Sequence, residues 1–417
     1  MLKFLFSLCA ACAVFFSTGW AGEKKSEPVS VTPPGLKLML PEVIYAVPGI
    51  ESNIYYENIL DTATPRAYAV EIRGPQGTSG EHRWFWTPDK KEAGKSYELE
   101  VNVFNDYGRV LHGKTKVIVA REAADYKRPV TLALLAASGV NCGYPAHLLS
   151  LMKEAGFVNY TPVGSHSGGG RPVVKGGNAH DGYGGFSWGS FLNRWYYSAE
   201  ELPKAQNQAE KEQMIALGVT NFSKSQAYRF RSPLLQVVNG KKVLDIPAWF
   251  KKINQGNAPD FILIQLGGND MFGATAQTMD DKRNEAIGNA RTLIAALRKH
   301  APKTVIGIAT NPCGCGQDGF GANYGARQSK YQYRRNIQSY NRALAALVKE
   351  LKDPGIKLIP LHQAIDPEGS YMKKSYPVHA RSKKKVSRDC NALHPSREGG
   401  YQLGDAFYCW LRNELGK

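Results

Sequence analysis

What most constrains this chain is a rhythm that begins at Val130. Strand-like runs at Val130–Ala137, Val158–Val163, Phe261–Leu266, Thr304–Ala309 and Ile356–Pro360 alternate with helix-like stretches at Ala146–Ala155, Met279–His300, Tyr331–Leu351 and Glu398–Leu415. The runs are short and mostly apolar, as strands of a parallel sheet covered on both faces are. In Met279–His300, Ile287, Ala290, Leu293, Ile294 and Leu297 recur at helical spacing, which gives that stretch one face to bury. Strands and helices in alternation predict a single α/β domain over residues 128–417, a five-stranded parallel sheet with helices on both faces. The interval Gly164–Pro259 lacks the rhythm. Its glycines and aromatics predict loops and short helices over one end of the sheet.

Residues 36–121 follow a different pattern. Short alternating runs such as Arg66–Arg73, Tyr97–Phe104 and Lys114–Ala120 are separated by Gly, Pro, Asn or Asp, which predicts a small antiparallel β-sandwich. Trp84-Phe-Trp-Thr-Pro, followed by Ala93-Gly-Lys-Ser-Tyr97, resembles the immunoglobulin-like modules appended to many secreted enzymes. No acid, base and nucleophile cluster there, so it reads as a spacer or interaction module, with sugar binding the sharper alternative. Residues 22–35 are rich in Lys, Ser, Pro and Thr and read as a linker.

The first residues bear on the compartment. Met1–Lys3 make a short positive start, Phe4–Phe16 are almost wholly apolar, and Gly19-Trp20-Ala21 offers small residues for cleavage. Residues 1–21 therefore read as a secretory signal peptide, too short for a membrane span. A secreted or periplasmic protein is expected. Its five remaining cysteines are Cys142, Cys313, Cys315, Cys390 and Cys409, and export permits disulfides. Cys313-Gly-Cys315 lacks the spacing of a zinc knuckle, so a disulfide at that loop is expected instead, with its partner left open. The formal charge of +17 attracts anions in general. The cations look spread along the chain and no nucleic-acid motif accompanies them, so no nucleic-acid partner is expected.

Four stretches carry candidate chemistry. Ser138 follows the first apolar run in Ala136-Ala-Ser-Gly139, where a ligand at the carboxyl edge of a parallel sheet would lie. Gly185 sits in the glycine-rich turn Asp181-Gly-Tyr-Gly-Gly-Phe186, whose N–H groups can face an anion. Asn269 ends another apolar run in Gly267-Gly-Asn-Asp270, and its amide can donate to an oxyanion. His394 precedes a proline and the last helix, in Asp389-Cys-Asn391-Ala-Leu-His394-Pro395.

Together these stretches resemble the SGNH (GDSL-like) hydrolases, a family named for Ser, Gly, Asn and His in four blocks. Here Ser138, Gly185, Asn269 and His394 match in the right order, from about Val130 to the C-terminus. The resemblance implies a three-layer α/β/α domain and a serine esterase that needs no cofactor or metal. Ser138 would be the nucleophile and His394 the base, with Gly185, Asn269 and the Ser138 N–H as oxyanion donors. Two departures stand out. Ala136-Ala137 replaces the family's Gly-Asp, and Asn391 stands where the family places an Asp three residues before the His. Asp389 is expected to supply the carboxylate, with Asn391 the alternative that orients His394.

The reading is a secreted carboxylic-ester hydrolase that removes O-acetyl or similar groups from a polysaccharide, and the positive charge suits an acidic one. The competing reading is a non-catalytic glycan-binding or envelope protein that keeps the fold. A metal-dependent hydrolase using His166, His180 and Asp181 is a third, with no ligand spacing behind it.

Overall fold

A computed structural model describes residues 35–168, 171–197, 231–324 and 328–417, together with Pro33, Glu200, Gln208, Ala209 and Glu212. The expected signal peptide and most of the expected linker lie outside the described residues.

The N-terminal part is built mainly of two sheets, with a short antiparallel pair, Lys37–Leu38 and Leu60–Asp61, beside them. Strands β1 (Val43–Ala46), β3 (Ala69–Arg73), β6 (Ser96–Asn105) and β7 (Gly108–Val119) form one sheet in the order β1-β7-β6-β3. Strands β2 (Ser52–Tyr55), β4 (Thr78–Ser79) and β5 (Arg83–Trp86) form the other, in the order β2-β5-β4. Ile44, Ile54, Trp84, Leu99, Val101 and Val117 are buried together within this part. One expectation is corrected: β1 runs parallel to β7, while every other pairing in these sheets is antiparallel. The chain leaves β1 for the other sheet instead of turning back in a hairpin, and such a crossover is what a parallel pairing requires.

From Val130 the predicted sheet forms. Strands β8 (Val130–Ala136), β9 (Tyr160–Val163), β11 (Phe261–Gln265), β12 (Val305–Ala309) and β13 (Ile356–Ile359) are all parallel, in the order β9-β8-β11-β12-β13. A short strand, β10 (Asp181–Gly182), pairs with the last two residues of β8. The helices include α1 (Tyr144–Glu154), α2 (Trp188–Asn193), α3 (Ile246–Asn254), α4 (Met279–His300), α5 (Lys330–Leu351) and α6 (Arg397–Leu415). The strand order reverses at β8. Right-handed crossovers therefore put α1 on one face of the sheet and α4 and α5 on the other. Helix α6 packs on α1, and α4 packs on α5. The crevice between the carboxyl ends of β8 and β11 is the switch point where open α/β sheets take ligands.

The two parts share buried hydrogen bonds. The Arg334 guanidinium on α5, 1% exposed, donates to the carbonyls of Glu57, Leu60 and Thr62. Gln338 also donates to the Leu60 carbonyl, and Asn58 to that of Ile365. His362 Nε2 lies 3.0 Å from the Met39 carbonyl, which can only accept, so Nε2 carries the proton. Nδ1 then accepts from the Thr310 hydroxyl at 2.8 Å.

The disulfide expected at the Cys313–Cys315 loop is not formed; Cys142, Cys313, Cys315, Cys390 and Cys409 are all free. Cys315 is wedged into the core instead: its Sγ donates to the Gly316 carbonyl, and a Cβ on Gly319 would meet that sulfur at 2.3 Å. Among the described residues, no helix is long and apolar enough to cross a membrane.

Candidate active site

Strand β8 delivers Ser138 to the crevice. The chain leaves the strand at Ala137 and makes a tight turn over Ser138–Cys142, then enters α1 through Gly143, which is left-handed at φ +89°. On the far side, Pro395 and the N-cap Ser396 hold the chain just ahead of α6, and His394 precedes them. The two residues are 256 positions apart, yet His394 Nε2 stands 2.8 Å from Ser138 Oγ.

Asn391 fixes which ring nitrogen carries the proton. Its Oδ1 receives the backbone N–H groups of Leu393 (3.1 Å) and His394 (2.9 Å). Backbone N–H groups only donate, so that atom is the amide oxygen and the amide cannot be flipped. The same oxygen lies 3.1 Å from His394 Nδ1. Nδ1 must therefore carry the hydrogen, and Nε2 offers its lone pair to the serine hydroxyl. Burial holds the imidazole below its usual pKa, because desolvation disfavours the charged ring. A neutral imidazole in this tautomer is equipped to take a proton from Ser138.

Asp389, expected to orient the imidazole, sits elsewhere. Its carboxylate accepts the Gly316 N–H at 2.8 Å and pairs with Lys373 at 3.5 Å. It ends a strand, whereas Asn391 opens the turn that contains His394, and only a residue in that turn reaches Nδ1. The signal in the sequence was the spacing Asn391-x-x-His394, which suits a side chain that caps its own turn.

Strand β11 brings in the third component. Gly267 has φ +110°, and a Cβ there would meet the Tyr340 ring at 2.2 Å, so only glycine fits. The Tyr340 hydroxyl donates to the Leu266 carbonyl and accepts from Trp188 Nε1. After this turn, Asn269 Nδ2 donates to the Phe186 carbonyl at 2.8 Å and the Asp270 carboxylate accepts the Trp188 N–H. Burial raises the Asp270 carboxyl to about 6. Two adjacent side chains thus latch the loop after β10 onto the end of β11. An amide nitrogen has two hydrogens, so Asn269 keeps one beyond its bond to Phe186.

Gly185 belongs to that latched loop. It turns at φ +71°, its carbonyl accepts from Arg194 Nη1, and it is not part of the pocket wall. The pocket encloses about 70 Å³ and its wall includes Ser138, Gln265, Asn269, Asn311, Tyr333 and His394. Gln265, Asn311 and Tyr333 were not anticipated. Asn311 exchanges hydrogen bonds with Asn341 through its own backbone (2.9 and 2.8 Å), which fixes the strand end. A signal existed: Thr310-Asn-Pro312 ends β12 much as Gly-Gly-Asn269 ends β11.

The metal-ligand candidates come together but are taken up otherwise. Nδ1 of His166 and of His180 accept the N–H groups of Gly168 and Gly182. The Asp181 oxygens accept from Ser165 N–H, the Tyr183 hydroxyl and Trp249 Nε1. Among the described residues, no group of three or more His, Cys, Asp or Glu side chains is arranged to hold a metal ion.

Residues 225–402 match the model of the GDSL-like Lipase/Acylhydrolase family. The matched span contains Asn269, Asn391 and His394 and leaves out Ser138 and Gly185. That match supports an ester-hydrolysing enzyme. No curated protein matches the sequence. Among solved structures, the chain is similar to a carbohydrate esterase family 3 from Talaromyces cellulolyticus, at 13% identity and a TM-score of 0.38 over 69% of this chain and 98% of the other. It is similar to a Clostridium thermocellum family 3 carbohydrate esterase at 13% identity and a TM-score of 0.38, covering 70% and 100%. A family two carbohydrate esterase from the same organism, in complex with cellohexaose, gives 10% identity and a TM-score of 0.34, covering 91% and 97%.

Proposed function

We propose that this protein is an exported serine carboxylic-ester hydrolase that removes O-acetyl groups from a polysaccharide. The observation that carries the reading is the Ser138–His394 hydrogen bond, with the imidazole held in the base tautomer by Asn391. Ser138 Oγ attacks the ester carbonyl carbon while His394 Nε2 takes its proton. The tetrahedral oxyanion is met by the Ser138 N–H and the second hydrogen of the Asn269 amide. Gly185 serves by letting the loop turn so that Phe186 holds Asn269. As the intermediate collapses, His394 returns the proton to the leaving alcohol, and water enters by the same base to free the acetate and the serine.

Asn391 takes the orienting role in this scheme, and Asp389 braces the Gly316 loop. Pocket size favours a short acyl group. One water needs roughly 10–15 Å³, so about 70 Å³ has room for an acetyl group. The test is hydrolysis of a chromogenic acetyl ester by the wild-type protein and by Ser138→Ala. Loss of about 10³-fold or more in the variant is expected. Equal rates would remove Ser138 from its role and leave the glycan-binding reading.

A further inference from the structure

The cations are not evenly spread. Strands β14 (Lys373–Pro377) and β15 (Lys385–Asp389) form an exposed antiparallel hairpin closed by the loop 378–384. Its 17 residues carry seven Lys or Arg and one acid, Asp389. Lys373 pairs with Asp389, and Arg388 pairs with Asp318. Lys374, Arg381, Lys383, Lys384 and Lys385 are exposed and make no ion pair among the described residues. The register sets Lys374 directly opposite Arg388, and like charges so placed repel each other. A two-stranded ribbon is marginal in water; this one rests its second strand on the helix Gln317–Tyr324 and carries self-repulsion that an external anion would relieve.

Its position gives that charge a use. The Cys390 N–H donates to the Met372 carbonyl, and Tyr371 bridges to Pro395. Directly after the second strand the chain therefore enters the turn that carries His394 and Pro395, two residues of the pocket wall. Asp389 clamps the hairpin's base to Gly316, two residues from the wall residue Gly314. Each five-residue strand extends about 17 Å, which spreads the exposed cations over a strip of that length. Proteins that hold single-stranded nucleic acid add a series of stacking aromatics to their cations; here Tyr376 is the one aromatic on the ribbon.

We infer that the hairpin Lys373–Asp389 is a docking strip for the anionic groups of an acidic polysaccharide, held while an ester on the same chain enters the Ser138 pocket. The link to the ester rests on the hydrolase reading; the binding itself does not. The test compares the full chain with a variant carrying Lys374→Gln, Lys383→Gln, Lys384→Gln and Lys385→Gln, and with the matching four-arginine variant. Binding to ester-free polygalacturonate is measured over a range of NaCl concentrations. Hydrolysis is measured on acetylated polygalacturonate, neutral acetylated xylan and 4-nitrophenyl acetate. The glutamine variant is expected to bind polygalacturonate about tenfold or more weakly, with a shallower salt dependence. It should show a raised KM on the acidic polymer alone, with unchanged rates on xylan and the small ester. The arginine variant should behave as wild type. Undiminished binding by the glutamine variant would overturn the proposal. So would tighter, lysine-dependent binding of a single-stranded DNA homopolymer or of phosphatidylglycerol vesicles at equal charge concentration. If Ser138→Ala leaves hydrolysis intact while the lysines still govern polygalacturonate binding, the hydrolase reading alone fails.

Discussion

Replacing Asn391 by Asp changes one group and adds one charge, and the structure fixes what should follow. The three donors on Asn391 Oδ1 lie at 2.9–3.1 Å, and a carboxylate of the same shape accepts all three. In a well-studied serine triad, exchanging the aspartate for asparagine costs about 10⁴ in kcat, because the imidazole takes the wrong tautomer. Here two backbone N–H groups already impose the right tautomer, so the reverse exchange gains only the charge. An opposite charge this close raises a pKa by about 1–3 units. Asn391 is half-buried; taking the low end gives at least about one unit or 1.4 kcal/mol. If all of that reaches the transition state, kcat/KM on the plateau rises about tenfold. The sign on the pH axis follows from the base having to be neutral. Burial sets the wild-type acid limb below the usual histidine range, and a carboxylate favours the imidazolium, so the limb moves up by about one unit. The assay is the pH profile of kcat/KM on 4-nitrophenyl acetate for the wild type, Asn391→Asp and Asn391→Ala. The alanine variant should lose about 10²-fold or more, since Nδ1 and two N–H groups lose their acceptor. An aspartate variant with an unmoved acid limb, or an alanine variant with wild-type rates, would refute the reasoning.

Asp389→Asn should change kcat/KM by less than about threefold, the size of a peripheral effect, and a collapse in rate would return Asp389 to the imidazole. Asn269→Ala should cost about 10²–10³ in kcat, as the loss of one oxyanion donor does, measured on the same ester. Gly267→Ala forces a Cβ to within 2.2 Å of the Tyr340 ring at φ +110° and should cost at least about 2–3 kcal/mol, read by thermal melting. His362 is buried and depressed to about 4. Because its folded pKa lies below the unfolded 6.5, its contribution is full above pH 6.5 and fades as pH falls to 4, by about 3 kcal/mol. His362→Gln should flatten that part of the melting-temperature profile, while the raised carboxyl of Asp270 acts in the opposite sense in both proteins.

The parallel sheet was legible because strands covered on both faces need apolar residues at successive positions. Phe261–Gln265 is buried at every residue, and Met279–His300 forms over the bounds its spacing predicted. Ser138 and His394 stood out through the order of their blocks, which resembles a known family, since each turn alone is ordinary; the fold then brings them to 2.8 Å. The orienting residue was misread because a charge was weighed above a turn: Asp389 is the better partner for an imidazolium, yet the strand in which it lies aims it at Gly316. The parallel entry of β1 and the pocket roles of Asn311 and Tyr333 depend on elements far apart in the chain, which local patterns do not report. The charged hairpin escaped notice because its strands bury no face, and burial is what makes strand periodicity visible.

Arg334 bears on how this chain can be cut. Its guanidinium reaches across to three carbonyls at Glu57, Leu60 and Thr62. A shortened protein starting near Val130 would take those carbonyls from Arg334 and Gln338 and the Met39 carbonyl from His362, and would open to water the surface they now seal. The part from Val130 onward, expressed by itself, is therefore expected to melt at a lower temperature than the whole chain, since the bonds and cover supplied across that boundary are lost. The leading β region behaves as the missing wall of one building, not as a wing that can be taken down.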